Sequence, residues 1–142
     1  MAVTALLSIL AMAVLPTIKS AQKRAKELEL KAALRELRLA IDKYRMYCDP
    51  QVPLPKKIPV RDPPYPERLE ELVQGPLFLN QSVYKLRILR KIPEDPMTGD
   101  TDWGLRCYSD DQESTSWCGR DIYDVYSKSK DTGLNGKPYS KW

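Results

Sequence analysis

Three cysteines and a scatter of carboxylates are the residues of this chain whose chemistry could matter, and histidine is absent. Lacking His removes the commonest general acid and base near neutral pH and the commonest metal ligand. No two of Cys48, Cys107 and Cys118 have the C-x-x-C spacing of a zinc or redox site. Cys107 and Cys118 bracket a polar stretch, Tyr108 to Trp117. A disulfide there would restrain the unfolded chain by about 3 kcal/mol in the chain-entropy model and requires an oxidising compartment. The alternative is two unpaired thiols in a reducing cytosol, with Cys48 either free or a competing partner. Asp95, Asp121, Asp124 and Asp131 are the candidates for acid–base work, yet their linear spacing defines no carboxylate pair. The expectation is therefore a protein that is not an enzyme.

The elements that would position these residues follow from length and composition. The 142 residues have room for one modest domain plus a long helix. Charged residues make up 30% and the mean hydropathy is -0.49, so an apolar N-terminus stands out against a polar body. The net charge is only +4, and basic residues mingle with acidic ones. No basic cluster interleaved with aromatic residues marks a nucleic-acid groove, and no nucleic-acid partner is expected.

Met1 to Leu15 is an apolar run interrupted by Thr4 and Ser8, it ends at Pro16, and no glycine occurs before Gly75. Helix-forming residues dominate from there to Tyr47. This predicts one long helix, kinked near Pro16, with a membrane part over 1–18 and an amphipathic shaft over 19–48. The apolar part is shorter than the roughly 20 residues of a span. It lacks the basic n-region and the convincing cleavage site of a signal peptide, and a buried core helix is the other alternative. The reading taken is a span that begins upstream of Met1. Leu6, Leu7, Leu10, Leu15 and Pro16 are its membrane and assembly residues, and Lys19, Lys23 and Arg24 mark its exit from the hydrocarbon. Taken alone, those cations would place the body in the cytoplasm.

In the shaft, Leu30, Leu34, Leu37, Ile41, Tyr44 and Cys48 recur in steps of four and three, the seam of a helix packed along one side. Ala33, Ala40 and Tyr47 widen it, while Arg35, Glu36, Arg38, Asp42, Lys43 and Arg45 are expected in solvent. Lys23, Glu27 and Lys31 are expected to form ordinary four-apart ion pairs. Two heptads are too few for a self-associating coiled coil, so the seam is expected to lie on the chain's own sheet. Asp49-Pro50 ends the helix. A proline-dense connector over 49–66 should cover surface. A short helix over 66–74 should bury Leu69, Leu72 and Val73 before Gly75-Pro76 stops it. The β region spans 91–142: a proline-bracketed turn from Lys91 to Gly99, a strand burying Trp103, Leu105 and Cys107, and a second strand over Ile122 to Ser127. Trp142 is expected to cap the core. The fold class expected is α+β, a long helix packed on a small antiparallel sheet.

The opening Met-Ala-Val-Thr-Ala-Leu-Leu-Ser-Ile-Leu-Ala-Met-Ala-Val-Leu-Pro resembles the mature N-terminus of type IV pilin-like proteins. In that family a Gly-Phe boundary and an acidic residue precede the point at which this chain starts. The order of a helix ending Ala-Ile-Asp-Lys-Tyr-Arg, then Tyr-Pro-Glu-Arg-Leu-Glu-Glu-Leu-Val, then Lys-x-Pro-x-Asp-Pro, is similar to the major pseudopilins of type II secretion. The resemblance implies a type IV pilin-like fold with Pro93, Asp95, Pro96 and Trp103 as the signature of its C-terminal head. It implies a single-pass inner-membrane protein with a periplasmic head, which leaves the bilayer to form a homo-oligomeric filament with other pseudopilins and the secretion machinery. It also implies calcium in the loop Ser127 to Gly136, with Asp131 and Asn135 as the matching ligands. The alternatives are a type IV or competence pilin for adhesion or DNA uptake and, from another class, a membrane-anchored monomeric binding module.

Overall fold

A computed structural model describes residues 2–53, 58, 60–75 and 87–142, with side chains described from Lys19 onward within the long helix. That helix, α1 (Ala2–Cys48), is continuous through Pro16. The kink expected at Pro16 and the placements of Leu6, Leu7, Leu10 and Leu15 lie outside the described side chains. Among the described residues no helix is long and apolar enough to cross a membrane.

The seam predicted for the shaft is the one the fold uses. Leu30, Leu34, Leu37, Ile41, Tyr44 and Cys48 are all buried, and they form one core with Trp103, Ile122, Val125 and Tyr139. Each large apolar side chain removed from water there contributes about 1.5–3 kcal/mol. The connector is more than a surface cover. The Ile58 N–H donates to the Tyr47 carbonyl at 2.9 Å, and Ile58 and Tyr65 are both buried in the core.

The short helix α2 (Glu70–Gln74) starts later than expected. The Pro66 carbonyl that would open it accepts the Ile122 N–H at 2.8 Å instead, tying this segment to the sheet. Gly75, at φ 90°, stops α2 in a conformation open to glycine. The Leu72 carbonyl takes both the Ile88 and Leu89 N–H groups, at 2.9 and 2.8 Å, which brings the chain back across α2.

The sheet has two antiparallel strands, β1 (Gly104–Arg106) and β2 (Asp124–Tyr126), with Leu105 opposite Val125. Both are shorter than expected. Trp103 and Cys107, flanking β1, are buried as expected and Leu105 is partly so, but Gly104 and Arg106 on the other face are buried as well. The reason is the Tyr126 ring, which lies where a Cβ at position 104 would be and stacks against the Arg106 guanidinium at 4.1 Å. Arg106 is tolerated inside because it donates to Ser114 O and Ser140 O, both at 2.8 Å, and pairs with Asp124 at 3.2 Å. A 3-10 turn (Tyr139–Lys141) closes the head, and the Trp142 ring meets Tyr139 edge-on at 5.0 Å, against the core as expected.

Candidate functional site

Extending the four-and-three steps of the apolar seam backward from Leu30 lands on Glu27 and then Lys23. These two do not form the surface ion pair expected of them. Glu27 is buried, and its Oε1 accepts the Leu134 N–H at 2.7 Å and the Tyr139 hydroxyl at 3.0 Å. Lys23 Nζ donates to the Thr132 carbonyl at 2.7 Å. Further along α1, Lys31 Nζ sits 4.8 Å above the Trp142 ring. Arg38, expected in solvent, is half-buried instead: its Nε donates to Asp124 at 2.7 Å, and its Nη2 to Trp142 O at 2.7 Å and Val125 O at 3.2 Å. One charged stripe of the shaft thus grips the C-terminal segment over its whole length. The sequence signal was the position of Glu27 on the buried seam, and reading charge as solvated hid it.

The same contact sets a titration. Burial, then the Glu27 hydrogen bond and charge, push the Tyr139 phenol up to about 12. Because the folded value exceeds the ordinary one near 10, this group's stabilisation is complete below pH 10 and is lost as pH rises from 10 towards 12. The expected result is a melting temperature that falls over that window. Tyr139→Phe should flatten part of the slope, and an unchanged slope in that variant would rule out the Tyr139–Glu27 contact as its source.

The four residues of the expected head signature are brought together. Trp103 Nε1 donates to the Pro93 carbonyl at 2.9 Å. Asp95 is fully buried: its carboxylate accepts the Ser127 hydroxyl at 2.6 Å and the Met97 N–H at 2.8 Å. Its backbone closes the turn through Asp100 O and the Gly99 N–H, at 2.8 and 2.7 Å. Asp95 thus locks the proline-bracketed turn, including half-buried Pro96, to the residue after β2.

Cys107 and Cys118 are joined, with an S–S distance of 1.94 Å and a Cα separation of 5.9 Å. Asp110 is close by, but two sulfurs in a disulfide are not thiolate ligands, so this trio holds no metal while oxidised. Cys48 is buried and free, and burial raises its thiol to about 11. Beside the disulfide, Tyr65, Tyr108 and Tyr123 pack ring on ring with centroids 5.3–5.8 Å apart.

Calcium takes six to eight oxygens, and the loop that would hold it does not offer them. Asn135 Oδ1 already accepts the Lys137 N–H at 3.0 Å. The Asp131 carbonyl accepts the Tyr139 N–H at 3.2 Å, and the Thr132 carbonyl faces the Lys23 ammonium. Among the described residues Asp131 belongs to no group of three Asp, Glu or Cys side chains. A doubly charged ion would sit beside Lys23, so the residues present do not fit it. No family model matches this chain, and no curated protein or solved structure matches it either.

Proposed function

We propose that this chain is a structural subunit of a periplasmic pseudopilus in type II protein secretion. It is anchored in the inner membrane by the apolar end of α1 and assembles through that helix with copies of itself and other pseudopilins. One observation carries the reading: among the described side chains of α1, contact with the head begins only at Lys23, some twenty residues into the helix. The first described shaft side chain to meet the head is Lys23, and Lys19 to Gln22 are exposed. From Lys23 back to Ala2 the helix continues for about 30 Å at 1.5 Å per residue, through the most apolar residues of the chain. In this reading the apolar stretch ahead of Lys23 is the part that meets lipid or other helices. In a bundle, interhelical packing replaces lipid contacts. A long helix laid on a small antiparallel sheet agrees with a pilin-like layout, and the Cys107–Cys118 bond agrees with an oxidising periplasm.

The test is chemical cross-linking of the full chain in inner membranes. A filament subunit yields a ladder of homo-oligomers, and Leu10→Asp abolishes both membrane residence and the ladder while leaving a folded head. A single monomeric band from the parent chain would overturn the proposal in favour of a membrane-anchored monomeric binding module.

A further inference from the structure

The disulfide joins two short segments of the same design, Cys107-x-x-Asp110 and Cys118-x-x-Asp121. Each offers a sulfur and a carboxylate at the close spacing by which zinc-binding turns pair their ligands. The fold brings the two together. The sulfurs of Cys107 and Cys118 and a carboxylate oxygen of Asp110 all lie within 4.8 Å of one another. The first segment closes on itself: the Asp110 N–H donates to the Cys107 carbonyl at 3.1 Å, and Asp110 Oδ2 accepts the Cys107 N–H at 2.8 Å. The second crosses to the first, because Asp121 Oδ2 accepts the Tyr108 N–H at 2.9 Å. Asp121 is 3% exposed, and its Oδ1 lies 3.9 Å from Cys118 Sγ. A disulfide sulfur carries no hydrogen, so in the oxidised chain that contact gives the buried oxygen no proton. Carboxylates held by backbone N–H groups in this way are oriented before any cation arrives.

We infer that the reduced head holds a thiophilic divalent cation, Zn²⁺, between the Cys107 and Cys118 thiolates and the Asp110 and Asp121 carboxylates, so that bond and ion exclude one another. The inference goes beyond the filament reading and does not depend on it. Two sulfurs and two oxygens form a donor set that suits tetrahedral zinc and not calcium. The Cα atoms of the two cysteines are 5.9 Å apart. Side-chain rotation then suffices to part the freed sulfurs to about 3.8 Å, the separation that tetrahedral Zn–S bonds of about 2.3 Å require. From Cys107 to Asp121 the acids Asp110, Asp111, Glu113 and Asp121 face one base, Arg120, which bonds Ser109 Oγ at 3.3 Å. A cavity of about 480 Å³ reaches Cys107 and Asp110 and gives the ion a way in. The loop between the two segments stays attached when the bond opens. Arg106 Nε donates to Ser114 O at 2.8 Å, and the Tyr126 hydroxyl to Thr115 O at 3.1 Å.

Opening the bond needs a reductant, and a dithiol is the class that fits. One of its thiolates attacks Cys118 Sγ, on the exposed cysteine, and expels the Cys107 thiolate. Its second thiol then closes the dithiol into its own disulfide and releases Cys118. Two electrons pass to the protein sulfurs, and the two protons of the dithiol pass to the cysteines or to water. Zinc displaces any that remain on the thiols. The bond belongs to an oxidising compartment and the ion to a reducing one, and each staples the same loop.

The experiment titrates the full chain in detergent with Co²⁺ and then Zn²⁺, after reduction by a phosphine that is removed under argon. One cobalt per chain is expected, with the thiolate charge-transfer band and the strong visible bands of a tetrahedral ion, all erased by one equivalent of zinc. The oxidised chain should give none of these bands. Asp110→Asn and Asp121→Asn should each weaken zinc at least about tenfold, read by competition with a chromophoric chelator. Circular dichroism of the oxidised variants reports whether the head is folded, and should Asp121→Asn fail to fold, the half-buried Asp110 decides. The zinc-loaded chain should also form its disulfide with oxidised glutathione at least about tenfold more slowly than the metal-free reduced chain. A folded, reduced chain without the tetrahedral cobalt spectrum would overturn the inference. So would equal binding by the oxidised chain, or zinc affinity unchanged in the folded carboxylate variants. None of these results touches the cross-linked ladder, which tests the filament reading separately.

Discussion

Trp103→Ala lowers the stability of the head by about 3–5 kcal/mol, the cost of emptying a fully enclosed aromatic site. Trp103 is 2% exposed and is the largest side chain buried to this degree. It lies between the shaft seam and the proline-bracketed turn, and its Nε1 ties that turn in through Pro93. For a chain of this size each kcal/mol moves the melting temperature by roughly 3–4 °C, so a fall of about 10 °C or more is expected. Trp103→Phe separates the parts of that effect. It keeps most of the ring, loses the hydrogen bond to Pro93 and should cost about 1–2 kcal/mol. Glu113→Ala is the contrast. Glu113 is exposed in the disulfide-bracketed loop, where its hydrogen bond and ion pair with Lys141 at 2.8 Å hold its carboxyl below the ordinary value. Its removal should leave the melting temperature unchanged. Thermal melts followed by near-ultraviolet circular dichroism decide the matter: coincident curves for Trp103→Ala and Glu113→Ala would defeat this assignment of core and loop.

The apolar seam was legible because a helix repeats its faces, and each of its six positions is buried as the spacing predicts. The proline-bracketed turn was legible because proline restricts its own backbone and that of the residue before it. The strands were read less well. A three-residue strand shows only one alternation, and at Gly104 and Arg106 the deciding influence was Tyr126, twenty or more positions away. The charged stripe was not read at all. Lys23, Glu27 and Arg38 resemble any solvated helix face until the tail arrives to accept and donate their hydrogen bonds. Asp131 and Asn135 show the same limit of a local pattern. A loop pattern lists oxygens, but it does not show that a lysine of the shaft already faces the backbone beside them. Long-range partners of polar groups are the part of this fold that local sequence does not encode.

Glu71 is the sharpest instance, and its replacement carries the second large effect. It is 1% exposed and sits at the second position of α2, a helix expected to bury only Leu69, Leu72 and Val73. Its Oε2 accepts the Tyr44 hydroxyl at 2.7 Å, its Oε1 accepts the Glu67 N–H at 3.2 Å, and Arg61 Nη1 lies 3.8 Å away. Glu71→Ala withdraws the acceptor from the buried phenol and the more buried of two carboxylates from the Arg61 guanidinium, which keeps Glu67 at 3.3 Å. Removing one partner of a buried charged set costs about 3–5 kcal/mol, whereas Tyr44→Phe removes only a hydroxyl and should cost about 1–2 kcal/mol. Glu71→Gln keeps the shape and one acceptor oxygen, and should fall between them. Burial and Glu71 together raise the Tyr44 phenol, so its stabilisation is intact below its ordinary value near 10 and is lost at higher pH. The double variant tests the coupling. Once Tyr44 is Phe, Glu71→Ala no longer strands a hydroxyl, so the two losses should fall short of additivity by about 1 kcal/mol or more in urea unfolding. Strict additivity, or a Glu71→Ala protein as stable as its parent, would mean that α2 is held to the shaft by its leucines alone.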